Sequence, residues 1–333
     1  MKVLVTGSSG RIGRTLVKAL LSHNYSVRGY DVRPPDEAEA SSAYEFIQGQ
    51  LLDSEKVAEA VQGVDAVIHV AGLILYDDRQ SRLIIDTNLR CTFEVLEAMA
   101  RSGQRFHRFI YASSGQVYPD AHPLYVPVDE GHPYLPDQYY GYAKLASEQM
   151  AWFYQRKWGI PAVCLRFAHV QDPAELIDPE SEWSGPRFFL SKRLALLKRM
   201  DPKSREIEET IRRLEAVSDG AKQLLLMCSP EGRPYEMTIA HTQDIVNGIL
   251  LALEKDRAIG EAYNLGPAGS FDFGEAIPYM AQKLGMPYAR VNMLLRPYHF
   301  QTSIAKARMH LGYQPRYDAF AMIDEAVAGR GKG

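Results

Sequence analysis

The stretch MKVLVTGSSGRIGRTLVKALLSHNYSVRGYD, residues 1–31, constrains the fold more than any other part of the chain. Val3, Leu4 and Val5 make an uninterrupted apolar run, as in a strand buried on both faces. Gly7, Gly10 and Gly13 follow at once, and Ile12, Leu16, Val17, Leu20 and Leu21 then recur at helical spacing. A second apolar segment, 26–30, ends in Asp31. Strand, glycine turn, helix, strand and acid in this order make the first half of a dinucleotide-binding unit. A pyrophosphate needs converging backbone N–H groups at a helix N-terminus, where the helix dipole favours negative charge. Gly7 permits the tight turn, Gly10 keeps a Cβ away from the phosphates, and Gly13 lets the helix approach the strand. Asp31 can accept hydrogen bonds from an adenosine ribose and would repel a 2′-phosphate, which favours NAD over NADP. Arg28 and Arg33 are the residues that could offset that repulsion.

The pattern continues in the same rhythm. Strands are expected at 44–48, 65–70, 107–112 and 161–167, and helices at 53–61, about 80–101 and 139–158. Such alternation implies an α/β fold, a doubly wound parallel Rossmann sheet with right-handed crossovers. Residues 1–167 form the expected NAD-binding domain. Residues 168–333 form a smaller C-terminal α/β substrate lobe, some of whose segments return to the first domain. Within that lobe a helix is expected at 187–199, then an amphipathic helix in the charged stretch near 200–222, carrying Ile207, Ile211, Leu214 and Val217. Strands at 235–240 and 261–265, with helices at 242–254, from 273 and over SIAKARMHLGY, complete the expectation. The lobe is expected over the carboxyl ends of the strands, where ligands bind in such sheets.

Charge and cysteine content narrow the partners. A formal net charge of −3 offers no basic surface for nucleic acid or an anionic membrane. Three scattered cysteines, Cys91, Cys164 and Cys228, suggest neither a metal site nor a disulfide framework. The chain opens into a strand rather than a signal peptide, and no apolar run is long enough to span a bilayer, so a cytoplasmic protein is expected.

The second chemical signal is QYYGYAKLASEQ. Tyr140 and Lys144 are four residues apart and share one helix face. An unperturbed phenol, with a pKa of about 10, is a weak base at neutral pH. A lysine ammonium and an oxidised nicotinamide, both positive, would stabilise the phenolate. Tyr140 could then take a proton from a substrate hydroxyl while a hydride leaves the same carbon. Lys144 could also hold the cofactor ribose. Ser113 and Ser114, in ASSGQVYP, fall at the carboxyl end of a central strand, where a hydroxyl reaches a bound substrate.

Together these segments resemble the extended short-chain dehydrogenase/reductase family, the NAD-dependent epimerase/dehydratases, over nearly the whole chain. TGSSGRIG resembles the family's cofactor loop, VIHVAG its fourth-strand motif, and TNLRCTFEVLEA its asparagine-led helix. SSGQVYP and YGYAK resemble the serine and tyrosine–lysine motifs. IAHTQDIVNGILLALE, EAYNLG and AKARMHLGYQP resemble the C-terminal signatures. The resemblance implies catalytic roles for Ser114, Tyr140 and Lys144. It implies NAD contacts at Gly7, Gly10, Arg11, Ile12, Asp31, Leu51, Ala71, Gly72, Asn88, Tyr140 and Lys144, with no metal. Substrate contacts are expected at Ser114, His169 and Arg296.

Departures from the family pattern shape the expected chemistry. Gly115 and Gln116 stand where family dehydratases keep an acidic pair, so dehydration is disfavoured. Gln50 replaces an aspartate usual near the adenine. His169 stands where nucleotide-sugar epimerases usually have asparagine, and Met237 where they have an arginine for the diphosphate; Arg233 falls too early for that register. The expected activity is an NAD-dependent sugar or nucleotide-sugar epimerase working by transient oxidation of a secondary alcohol. The alternative is a dehydrogenase or reductase with net cofactor turnover. The long helices at about 80–101 and 139–158 also suggest a homodimer, as the family often forms.

Overall fold

The computed structural model describes residues 1–35, 41–75, 77–119, 123–200, 204–218, 220, 222–295 and 299–330. Six strands of the first half are Lys2–Thr6 (β1), Ser26–Asp31 (β2), Tyr44–Gln48 (β3), Ala66–His69 (β4), Arg108–Ser114 (β5) and Ala162–Phe167 (β6). They join Ala262–Leu265, from far along the chain, in one seven-stranded parallel sheet. Its order is Ala262–Leu265, β6, β5, β4, β1, β2, β3. The order reverses direction between β1 and β4. Thr6 and His69 are register partners there, so the crevice beyond their carboxyl ends is the topological switch point.

Helices cover both faces of the sheet. They are Arg11–Ser22 (α1), Ser54–Val61 (α2), Ser81–Ile85 (α3), Cys91–Arg101 (α4) and Tyr139–Trp158 (α5). Asp53 caps α2 by accepting the Lys56 N–H at 3.2 Å. On one face Leu4, Val67, Phe109 and Tyr111 pack with Val95, Leu96 and Met99 of α4 and with Ala151 and Tyr154 of α5. Each Val, Leu, Phe or Met side chain among them contributes about 1.5–3 kcal/mol on full burial. On the other face α1 packs against the helix Thr242–Glu254.

Two compact units make up the chain. The first contains Met1–Ala168, Thr242–Gly266 and Thr302–Pro315; the second contains His169–His241, Pro267–Gln301 and the segment from Arg316 on. In the second unit Leu224–Cys228 pairs in parallel with Tyr288–Asn292, and His169–Gln171 with Ile239–His241. The charged stretch forms the helix Arg205–Val217, which buries Ile207, Thr210 and Leu214. Lys198 pairs with Glu215 at 2.6 Å and Arg213 donates to the Asn292 carbonyl at 2.9 Å, so its apolar face belongs to that unit's core.

Several elements differ from the periodicity. The helix expected at 80–101 is interrupted by a π turn at Asp86–Arg90. The helix at 187–199 breaks at Phe189, whose backbone is extended (φ −117°, ψ 122°). The strands Leu224–Cys228 and Tyr288–Asn292 and the helix Ala319–Gly329 carried no sequence expectation; the first, LLLMC, is a short uniformly apolar run of the kind that looks alike in strand and helix. Among the described residues no helix is long and apolar enough to cross a membrane. The three cysteine thiols are buried.

Candidate functional site

The glycine loop closes on β4. Gly7 has φ +75° and its N–H donates to the Tyr30 carbonyl at 2.8 Å. A Cβ at Gly7 would lie 2.7 Å from the Ala71 backbone, so both a left-handed conformation and a close approach require glycine. Gly10 is the N-cap of α1 and makes no side-chain cap. A Cβ on Gly13 would meet Gly7 and Ser8 backbone, which is how α1 comes to lie against the end of β1. The Asp31 carboxylate accepts the Ser9 N–H at 3.0 Å and the Arg33 N–H at 3.1 Å, bracing the loop from the end of β2. Arg28 is committed elsewhere: it pairs with Glu45 and donates to the carbonyls of Ala60 (2.7 Å) and Gln62 (2.6 Å).

Beneath the loop His69 bridges Thr6 Oγ1 (2.6 Å) and Thr92 Oγ1 (3.2 Å). Burial, and secondarily the Lys144 charge, hold it down to a pKa of about 3, so the ring is neutral at physiological pH. The π turn places Asn88 against the turn after β4. Its amide donates to the carbonyls of Leu73 (2.9 Å) and Ile84 (3.0 Å), and its Oδ1 accepts the Leu73 N–H at 3.1 Å.

Three elements converge beside this turn. A Cβ on Gly72 would be 2.9 Å from Asn88 Oδ1 and 3.2 Å from Lys144 Nζ. Lys144 is buried, donates to the Ala112 carbonyl at 2.8 Å and sits 5.7 Å from the Tyr140 ring centroid. Desolvation lowers its pKa to about 8, with the Glu148 charge acting in the opposite direction. Ser114 ends β5 and its Oγ accepts the Gln116 N–H at 3.2 Å. Gly141, next to Tyr140, abuts the Gln116 carbonyl, which sets the start of α5 against the turn that follows Ser114.

Leu51 is half-buried after β3, and Tyr30 donates to the Gln50 carbonyl at 2.9 Å. Arg11 and Ile12 lie in the first turn of α1. His169 belongs to the second unit, where its ring meets Trp183 edge-on at 5.4 Å and its Nε2 lies 3.3 Å from the Gln171 amide. Arg296 lies outside the described residues. Glu148 and Arg166 carried no expectation from the sequence, and Ser113, expected to face substrate beside Ser114, instead joins them in a buried polar cluster behind the tyrosine–lysine pair. The signal available was Glu148, four residues beyond Lys144 on the same helix face.

A family model described as the NAD dependent epimerase/dehydratase family matches residues 3–184. The chain belongs to the NAD-dependent epimerase/dehydratase family. Its full length is 26% identical to a UDP-glucose 4-epimerase of Halalkalibacterium halodurans, covering 98% of this chain and 94% of that one. A uronate dehydrogenase of Pseudomonas syringae pv. tomato is 32% identical over 166 residues, which span 50% of this chain and 58% of the relative. A short-chain dehydrogenase/reductase superfamily protein from Agrobacterium tumefaciens, solved with bound NAD, is 34% identical. It superposes with a TM-score of 0.90, covering 100% of this chain and 98% of that chain. These relatives include epimerases and dehydrogenases, and the family's cofactor is NAD. The loop fits such a group. Gly10, where a Cβ would meet only the Gly7 oxygen at 3.2 Å, leaves room at a helix N-terminus without a side-chain cap, while Gly7 and Gly72 give way to Ala71, Asn88 and Lys144 and so draw the walls of the site together.

Proposed function

We propose that the protein is an NAD-dependent sugar or nucleotide-sugar epimerase that transiently oxidises a secondary alcohol. What supports this most is one arrangement: Tyr140 and Lys144 on one buried face of α5, with Lys144 Nζ beside the Ala71–Gly72 turn at the switch point. In this reading the N-terminus of α1 and Gly7–Gly10 hold the pyrophosphate, and Asp31 holds the adenosine ribose. With Arg28 engaged by Glu45, Asp31 opposes a 2′-phosphate, hence NAD rather than NADP. Arg11, Ile12, Leu51 and Asn88 line the remaining cofactor path. NAD, when bound, supplies a hydride acceptor. Tyr140, held as a phenolate by the Lys144 charge, takes the hydroxyl proton and becomes a neutral phenol, while Ser114 hydrogen-bonds the reacting oxygen. Gly115 and Gln116, in the turn after Ser114, supply no carboxyl acid to expel a neighbouring hydroxyl, which sets dehydration aside. His169 and Arg296 are assigned to the substrate.

A second reading, a dehydrogenase with net cofactor turnover, is favoured by the second unit. Met237 is buried in the strand Glu236–Met237, and Arg233 lies 3.8 Å from Glu236. Neither offers the diphosphate contact of a nucleotide-sugar enzyme, which leaves a free sugar as substrate. The test is stoichiometric. Incubation with sugar and nucleotide-sugar panels is followed by cofactor reduction and by product configuration together. Inverted product without accumulated reduced cofactor is expected; stoichiometric accumulation would replace the epimerase by the dehydrogenase.

A further inference from the structure

Tyr140, Lys144 and Glu148 recur every fourth residue along α5, so they make one stripe on one helix face. All three are buried, with fractional exposures of 7%, 3% and 0%. The last of them is the hub of a closed network. Ser113 Oγ donates to Glu148 Oε1 at 2.5 Å, and Arg166 grips the carboxylate through Nε (2.9 Å) and Nη2 (2.7 Å). Arg166 also donates to Tyr118 Oη at 2.7 Å, and Tyr118 donates to Asn264 Oδ1 at 2.9 Å. The network therefore ties α5 to the carboxyl end of β5, where Ser113 precedes Ser114, and to β6.

We propose that Glu148 is the positioning residue of the Tyr140–Lys144 pair: its buried carboxylate keeps the Lys144 ammonium charged and pins the Ser113–Ser114 end of β5. This rests on the acid/base reading of Tyr140 given above. The physical need is plain. Lys144 has lost its water, and burial works against its charge. If Lys144 surrendered its proton first, Tyr140 would stay a phenol and no base would form, because the two groups titrate as a couple. A carboxylate one helical turn beyond Lys144, and two beyond Tyr140, acts more strongly on the lysine than on the phenol. Arg166 prevents Glu148 from being a bare buried charge. The groups around the couple are Lys144 and Glu148 on α5, Ser113 and Tyr111 on β5, Arg166 and Cys164 on β6, and His69 on β4. Tyr118, Tyr134 and Glu130 lie around Arg166.

The experiment reads the near-ultraviolet phenolate absorbance of the protein against pH, with the Y140F variant subtracted, and needs no turnover. Wild type is expected to show a phenolate near neutral pH that Y140F removes. In Glu148→Gln that phenolate should appear about one pH unit higher, because Lys144 now loses its proton first. Glu148→Asp, which disturbs packing but keeps the charge, should titrate as wild type. Removing one partner of a buried pair risks unfolding, so the double variant E148Q/R166Q, which leaves two amides, is measured alongside and should move the same way. Ser113→Ala should lower kcat about tenfold with KM unchanged and no shift in pH profile. The inference is overturned if E148Q and the double variant titrate as wild type, or if E148D and E148Q shift equally. Absence of any near-neutral phenolate that Y140F removes would instead overturn the acid/base reading, and this inference with it.

Discussion

Two alanine substitutions in the glycine loop should separate its structural duty from its ligand duty. At Gly13 the added Cβ would lie 2.8 Å from the Gly7 carbonyl carbon and 2.8 Å from Ser8 Cα, and closer still to the Gly7 oxygen. Carbon atoms need about 3.5 Å, so α1 must retreat by about 0.7 Å or more from the end of β1. Overpacking of this kind costs about 1–3 kcal/mol. Alanine's better helix propensity returns about 1 kcal/mol, leaving Gly13→Ala up to about 2 kcal/mol less stable and with a displaced phosphate site. At Gly10 the nearest heavy atom is the Gly7 oxygen at 3.2 Å, and φ −77°, ψ 174° suits any residue. Gly10→Ala should therefore fold within about 1 kcal/mol of wild type while its Cβ stands in the way of the phosphates. Losing two charge-assisted N–H contacts costs about 3 kcal/mol, or about a hundredfold in Kd. Urea denaturation and calorimetric NAD titration measure the two quantities independently. Wild-type NAD affinity in Gly10→Ala would refute the cradle, and a Gly13→Ala variant more stable than wild type would refute the close packing of α1 on β1.

Other consequences are equally direct. Tyr140→Phe should bind NAD with unchanged affinity and lose turnover by at least about a hundredfold; near-normal turnover would remove Tyr140 from the acid/base role. His69 is neutral when folded, with its pKa lowered from 6.5 to about 3, so the unfolded chain binds the extra proton. Its contribution to stability is complete above about pH 6.5 and is lost as pH falls towards 3. His69→Gln should flatten that acid limb in denaturant melts at several pH values, and an unaltered limb would show that other groups cause it. Leu83, Phe93, Tyr142 and Phe153 are exposed on α3, α4 and α5, and we expect them to form a homodimer face. Sedimentation should give a dimer that Phe93→Asp with Phe153→Asp converts to monomer, whereas a monomeric wild type would reject the interface.

The nucleotide end was the most legible part of the molecule. Gly7, Gly10, Gly13 and Asp31 lie within one local βαβ unit, and their placement follows from short-range geometry that spacing reveals. Tyr140 and Lys144 were equally readable, since a helix maps a four-residue interval onto one face. The substrate end was less so. Its short strands carry no periodicity, and His169 could be named only by resemblance. The interruption of the helix around Asn88 was also hidden, because a π turn inserts one residue without any composition signal.

Sequence alone determined the α/β class, the glycine turn between β1 and α1 and the placing of Tyr140 and Lys144 on one helix face, all properties of residues near one another along the chain. Only the tertiary structure decided that residues 262–265 complete the central sheet and that Ser113, Glu148 and Arg166 close into one buried network. It also decided that the charged helix Arg205–Val217 is part of a core. These depend on contacts between distant segments, whose cost and reward are settled by packing and desolvation rather than by local propensity.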